Sequence, residues 1–145
     1  MQPPPTVPPS QLRTTKLDPA LVHRITAAVD DGFDAQLELT RALMRFPSRR
    51  GAEHAVQDFV FRQMRDRGLV VDRFAMEEGA IAAHPGGAPF TPAHSQAPIL
   101  VGIHRPRNET GRSLILQGHV DVVPEGPPNM WTYPPFEPTI ADGWL

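Results

Sequence analysis

Proline is the residue that most narrowly limits how this chain can fold. The 145 residues include 18 prolines, about twice the usual share, and many of them are clustered. Five lie in residues 1–17 and six in residues 124–138. Because proline has no amide hydrogen and a fixed φ, neither cluster suits a continuous helix or a central strand. Most helices and strands are therefore expected between the two clusters.

The N-terminal cluster predicts a disordered, proline-rich tail over residues 1–17, since this stretch holds little that is apolar. A role as a ligand for an SH3-type domain is the alternative to an untethered terminus. Residues 18–145 are predicted to form one domain, as their number suggests.

Charge and cysteine content exclude several classes of protein. Fourteen basic residues oppose 16 acidic ones, so neither nucleic acid nor a membrane surface is an expected partner. The chain has no cysteine, which excludes disulfide scaffolds, Cys-ligated zinc and thiol nucleophiles. No apolar run approaches the roughly 18 residues of a membrane span. No signal peptide is visible, and a cytoplasmic location is expected.

Two helical stretches precede the first strand. Asp18 can cap a helix whose first residue is Pro19, and apolar residues recur at helical spacing up to Met44. Gly32 is the position at which this helix is expected to bend or break. A second helix is predicted over about residues 52–67, ended by Gly68.

Three strands are predicted, over residues 69–74, 98–104 and 113–123. The third contains three consecutive apolar residues, Leu114 to Leu116, as in a central strand covered on both faces. A short polar turn before it predicts an antiparallel hairpin with the second strand, and hence a mixed sheet in an α/β fold. Residues 75–97 are predicted to be a long surface loop, functional or a family insertion. Residues 139–145 are predicted to begin a strand or form a hairpin tip.

The residues that suggest chemistry are His119 and Asp121, at the end of the third predicted strand. Side chains at i and i+2 of a strand share a face, and a histidine that binds a metal usually has its second ring nitrogen held by a carboxylate. Gly118 is expected to permit close approach of other elements. The triplet alone is a weak signal, because a partly buried histidine beside a surface aspartate is the commoner arrangement.

The surrounding residues resemble a known family. Leu114-Ile115-Leu116-Gln117-Gly118-His119-Val120-Asp121-Val122-Val123-Pro124 is similar to the first metal motif of the M20-type metallo-aminoacylases and peptidases, which include acetylornithine deacetylases and succinyl-diaminopimelate desuccinylases. Residues 130–138 resemble the family's Trp…Pro-Phe segment. Residues 43–48, with Gly51-Ala52-Glu53, resemble its Leu-Val-x-Ile-Pro-Ser…Gly-x-Glu opening.

The resemblance implies a zinc-aminopeptidase-like α/β domain, a mixed sheet flanked by helices. It implies that His119 binds a metal and that Asp121, counted among the catalytic residues, orients His119. A complete family site holds two metals, zinc or cobalt, and hydrolyses the amide bond of an N-acyl amino acid (a deacetylase or desuccinylase reaction) or of a peptide. It also implies a homodimeric full-length enzyme.

The sequence departs from the family pattern after this motif. After Pro124 it contains no Gly-Arg-Gly-x-x-Asp, no Glu-Glu pair and no distal histidine motif. We therefore expect residues 18–145 to be the truncated N-terminal part of the catalytic domain, inactive without the rest. The alternative is a truncated, catalytically inactive product with at most a weak binding role.

Other residues leave their roles open. His84 and His94 form no defined pattern and are interpreted as solvated loop residues. Residues 41–67 carry seven arginines, interpreted as a solvated helix face rather than a nucleic-acid site. Trp131, Tyr133 and Phe136 suit a substrate cleft and a loop anchor equally well.

Overall fold

The computed structural model describes residues 17–88, 96–108, 111 and 113–145. All but the last residue of the predicted tail, and His94 within the predicted loop, lie outside the described residues. The chain divides into two compact units between Leu39 and Thr40.

The first unit contains helix α1, Pro19–Asp31, and most of helix α2, Phe33–Met44. The Asp18 carboxylate accepts a hydrogen bond from the amide of Ala20 at 3.0 Å, and Pro19 opens the helix, as predicted. Gly32 separates the two helices, so the predicted break is confirmed. No residue of either helix is buried among the described residues.

The second unit is built on helix α3, His54–Asp66, which Arg67 and Gly68 terminate as predicted. Strand β1, Val70–Phe74, pairs antiparallel with strand β2, Ile99–Ile103. Val70 faces Ile103 at one end of this ladder, and Phe74 faces Ile99 at the other. These elements confirm the second predicted helix and the first two predicted strands to within two residues.

The segment between the two strands contains a short helix, α4, Glu78–Ala83. The prediction of an entirely irregular loop was therefore wrong there. The prolines and glycines that argued against regular structure begin at Pro85, beyond the helix. Glu78 and the three alanines of Glu78–Ala83 favour a helix, and the six residues form about 1.7 turns. The rest of the predicted loop is partly outside the described residues.

The core of the second unit lies where α3 packs on the two strands. Val56 is 2% exposed, and the rings of Phe46 and Phe59 lie 5.3 Å apart. At Gly102 of β2, an added Cβ would come within 2.9 Å of Leu69 Cδ1 and 3.1 Å of Met64 Sδ. Glycine at this position is what lets β2 approach α3 closely.

Residues 113–123 do not form the third predicted strand. The sheet of the described residues has two strands, β1 and β2, which run antiparallel. The predicted hairpin between the second and third strands was therefore wrong for the described residues, and a mixed sheet stays a prediction. Leu114, Ile115 and Leu116 are 80–88% exposed. An apolar run indicates that a segment suits burial, but a strand exists only through hydrogen bonds to a neighbour, and these residues have none within the described chain. Only Val122 forms an isolated parallel bridge, to Arg49.

The predicted hairpin tip near the last residues is confirmed. Ala141 and Trp144 form an antiparallel bridge around Asp142, with φ of 51°, and Gly143, with φ of 80°. Two successive positive φ angles are those of a type I′ turn, for which Asp-Gly is a preferred pair.

These helices and the small sheet are consistent with the α/β class in its broad sense. The zinc-aminopeptidase-like arrangement remains a prediction. Every helix in the described ranges is too short or too polar to cross a lipid bilayer.

We expect Gly102→Ala to lower the free energy of unfolding by about 1–3 kcal/mol, the usual cost of overpacking a close contact. Gly111→Ala is the matched control, because an added Cβ there would meet nothing within 4 Å. Urea denaturation midpoints of the two variants measure the difference, and equal midpoints would contradict the close approach.

Candidate functional site

His119 and Asp121 are in direct contact. The ring atom Nδ1 of His119 lies 2.9 Å from Oδ1 of Asp121 and 3.2 Å from its backbone oxygen. A neutral ring that donates from Nδ1 to the carboxylate has an unprotonated Nε2, which is the form of imidazole that binds a metal. The pair thus presents one nitrogen donor.

The surroundings of this pair are open. The side chains of His119 and Asp121 are 78% and 43% exposed, and a Cβ added at Gly118 would meet nothing within 4 Å. The expectations that the pair ends a central strand and that Gly118 permits a close approach were therefore wrong. The pair lacks the neighbours that it would have if residues 113–123 were paired as an inner strand.

Ser48 holds the backbone on both sides of Asp121. Its hydroxyl donates to the carbonyl of Val120 at 2.5 Å, and its own carbonyl accepts from the amide of Val122 at 2.9 Å. Ser48 is only 3% exposed, so water competes little for these bonds. Pro47 and Phe46 shape the turn, because their carbonyls accept from the amides of Arg49 and Ser48 at 2.8 Å.

Arg49 extends this attachment beyond Val122. Its Nε donates to Oε2 of Glu125 at 2.8 Å, and its Nη2 donates to Oε1 of the same carboxylate. The guanidinium also lies 5.3 Å from the centre of the Phe136 ring, within cation–π range. The hydrogen bonds from Arg49 lower the pKa of the Glu125 carboxyl and raise that of Arg49.

Glu53 supports the turn that carries Ser48 and Arg49. Its carboxylate accepts from the amide of Gly51 at 3.0 Å, and Glu53 is 4% exposed. Gly51 has a φ of 88°. The Pro-Ser…Gly-x-Glu residues of the sequence motif are therefore one local structure.

Two of the three aromatic residues anchor the proline-rich loop. The indole of Trp131 donates to the carbonyl of Glu125 at 2.7 Å, and Phe136 lies beneath Arg49. Phe136 also borders an open depression of about 430 Å³ beside Arg45. The structure therefore favours the loop-anchor interpretation for Trp131, while Phe136 combines both features.

Among the described residues, no further histidine joins the pair in a group that could hold a metal ion. His84 uses Nδ1 to accept from the amide of Gly86 at 3.0 Å, and His94 lies outside the described residues. In the part of the chain that the structure describes, no group of three His, Cys, Asp or Glu residues could hold a metal ion.

Sequence reasoning missed Ser48 and the Arg49–Glu125 pair. The sequence marks Ser48 only as part of the segment that resembles the family's opening motif, and Arg49 only as one of a set of solvated arginines. The available signal was the similarity of residues 43–53 to the family's opening motif, which indicates that Pro47 and Ser48 do more than turn the chain.

Comparisons with known proteins place this chain beside one kind of enzyme. It is 33% identical over 112 residues to a succinyl-diaminopimelate desuccinylase of Polynucleobacter necessarius, covering 77% of this chain and 26% of that protein. It is 32% identical over 112 residues to one of Methylobacterium radiotolerans, covering 77% and 24%. A 28-residue stretch is 71% identical to one of Psychromonas ingrahamii, covering 19% and 7%. No family model matches the chain.

The longer alignments thus span about a quarter of the relatives' length. They confirm the resemblance drawn from the motifs, to desuccinylases of the M20 type.

We expect the attachment of the loop to Arg49 to weaken in acid. The folded Glu125 carboxyl titrates below its unfolded pKa of about 4.3, so its stabilising contribution is complete above that pH and is lost as pH falls through the lower folded pKa. The chemical shift of the Trp131 indole proton, followed against pH, should show this transition. Glu125→Gln should remove the transition and Glu137→Gln should keep it; a transition that survives Glu125→Gln would refute the assignment.

Proposed function

We propose that this chain, a sequence relative of the M20-type desuccinylases, contributes His119 as a metal ligand to an amidohydrolase that acts on N-acyl amino acids. Asp121 orients the ring of His119 in this proposal. The observation that carries it is the 2.9 Å contact between Nδ1 of His119 and Oδ1 of Asp121.

This contact has two chemical consequences. A carboxylate at Nδ1 fixes the ring proton there, and it raises the basicity of Nε2 toward a metal. Because the ring is 78% exposed, Nε2 is accessible to an ion arriving from solvent. Both consequences suit a ligand better than a histidine that only fills a core.

The described residues fit one ligand of the implied metal centre, and they do not form a complete one. No three suitable side chains converge within the described ranges, and the nearby Glu125 is engaged by Arg49. No step of hydrolysis therefore follows from these residues. Zinc or cobalt, bound as a pair, remains what the family resemblance implies.

We propose further that the remaining ligands, the general base and the cover over Leu114–Leu116 come from protein outside residues 18–145. Two observations support this. The alignments span about a quarter of the relatives, and the apolar run of Leu114–Leu116 is 80–88% exposed. A zinc-aminopeptidase-like mixed sheet, with residues 113–123 as an inner strand, would bury that run.

The relatives' name supports succinylated diaminopimelate as the substrate class, and the motifs suit a deacetylase equally. By itself the 145-residue chain should release no succinate from N-succinyl-diaminopimelate above background with zinc or cobalt, because one imidazole cannot hold two metals. A chelator-sensitive release of succinate by the chain alone would contradict this.

A chimaera tests the proposed roles. The matching segment of the Polynucleobacter necessarius desuccinylase would be replaced by the aligned 112 residues of this chain, and succinate release and metal content would be measured. We expect an active, metal-dependent chimaera. His119→Ala should lose one metal equivalent together with activity.

Asp121→Asn should keep most of the metal in the same chimaera, with affinity weakened roughly 10–100-fold, and turnover should fall sharply. His84→Ala is the control, and it should match the parent chimaera. Full activity in Asp121→Asn, or both metals retained in His119→Ala, would show that the roles are wrong.

A further inference from the structure

We infer that Ser48 is a positioning residue for the candidate ligand. Its hydroxyl sets the ring tautomer of His119 by fixing the peptide group between Val120 and Asp121. This inference rests on the proposed function for its purpose, because the unprotonated Nε2 is the atom proposed to bind metal.

The contact between His119 and Asp121 is too exposed to fix its own geometry. The two side chains are 78% and 43% exposed. An exposed contact of this kind stabilises a geometry only weakly, since ordering two side chains opposes an attraction that solvent screens. The contact therefore depends on a backbone that already places the carboxylate next to Nδ1.

Ser48 is the residue that holds the backbone around Asp121. Residues 113–120 have no strand partner within the described chain. The Ser48 hydroxyl bonds the carbonyl of Val120, the residue between His119 and Asp121. The Ser48 carbonyl bonds the amide of Val122, on the other side of Asp121. One residue thus fixes both peptides that flank Asp121, from a position 72 residues away in sequence.

The hydrogen bonds of Ser48 act at different residues from those of its neighbour Arg49. Arg49 and Trp131 also hold this part of the chain, but their hydrogen bonds reach Glu125, three residues beyond Val122. Ser48 is 3% exposed, so losing its hydroxyl would leave the Val120 carbonyl without its buried partner. The Glu125 contacts can be removed without touching the peptide of Val120.

The experiment is nitrogen NMR of the His119 ring in the 145-residue chain without metal. It is recorded at about pH 8, above the pKa of roughly 6.5 that an unperturbed imidazole has in a model peptide. In the wild-type chain the proton should reside on Nδ1. In Ser48→Ala it should move largely to Nε2 or become shared between the nitrogens, while the amide signals of α3 stay in place.

Glu125→Gln is the matched control, because it breaks the Arg49 pair and leaves the Ser48 hydroxyl. It should keep the wild-type tautomer. An unchanged tautomer in Ser48→Ala, or an equal change in Glu125→Gln, would overturn the inference. If Ser48→Ala unfolds α3, amide hydrogen exchange in the wild-type chain decides the question. The Val122 amide should then exchange with solvent more slowly than the amides of residues 114–118. Equal exchange rates would overturn the inference.

The outcome is independent of the test of the proposed function. The tautomer is measured without metal, so it can depend on Ser48 even where the chimaera keeps both metals in His119→Ala. In that case the metal role fails and the positioning role stands. If His119→Ala loses one metal equivalent but Ser48→Ala keeps the wild-type tautomer, His119 remains a metal ligand and Ser48 has no part in orienting it.

Discussion

The attachment of residues 120–125 to Ser48 and Arg49 is the interaction on which the candidate site depends. Without a neighbouring strand, a segment such as 113–125 leaves many of its backbone groups to solvent and has little to fix its direction. Two bonds to Ser48 and the paired carboxylate of Glu125 supply that constraint at one end. The ordered turn at Pro47 to Gly51, supported by buried Glu53, is therefore as much a part of the site as His119.

The elements that the sequence predicts correctly are those defined by local signals. Asp18 and Pro19 begin α1, Gly32 interrupts it, and Gly68 ends α3, because caps and breakers act on the residues beside them. The third strand failed for the opposite reason. Its apolar residues indicate a segment suited to burial, whereas pairing depends on partners far away in the chain.

The candidate site divides in the same way. The proximity of His119 and Asp121 follows from a spacing of two residues in extended chain, which the sequence shows directly. The role of Ser48 does not, since its bond to Val120 spans 72 residues and a serine after a proline is ordinary in a turn. Arg49 was hidden for a similar reason, because seven arginines in one stretch look alike until one of them meets Glu125.

The exposure of Leu114–Leu116 and of the His119 ring has a common physical origin. A metal ligand works best where neighbouring layers exclude water and bring further donors within reach. An apolar run of three residues is stabilised only when layers cover both of its faces. Under the proposed function, additional protein packed over residues 113–121 would meet both conditions. In the proposed site, the bonds from Ser48 and the contact with Asp121 would present an oriented ring nitrogen to those further ligands.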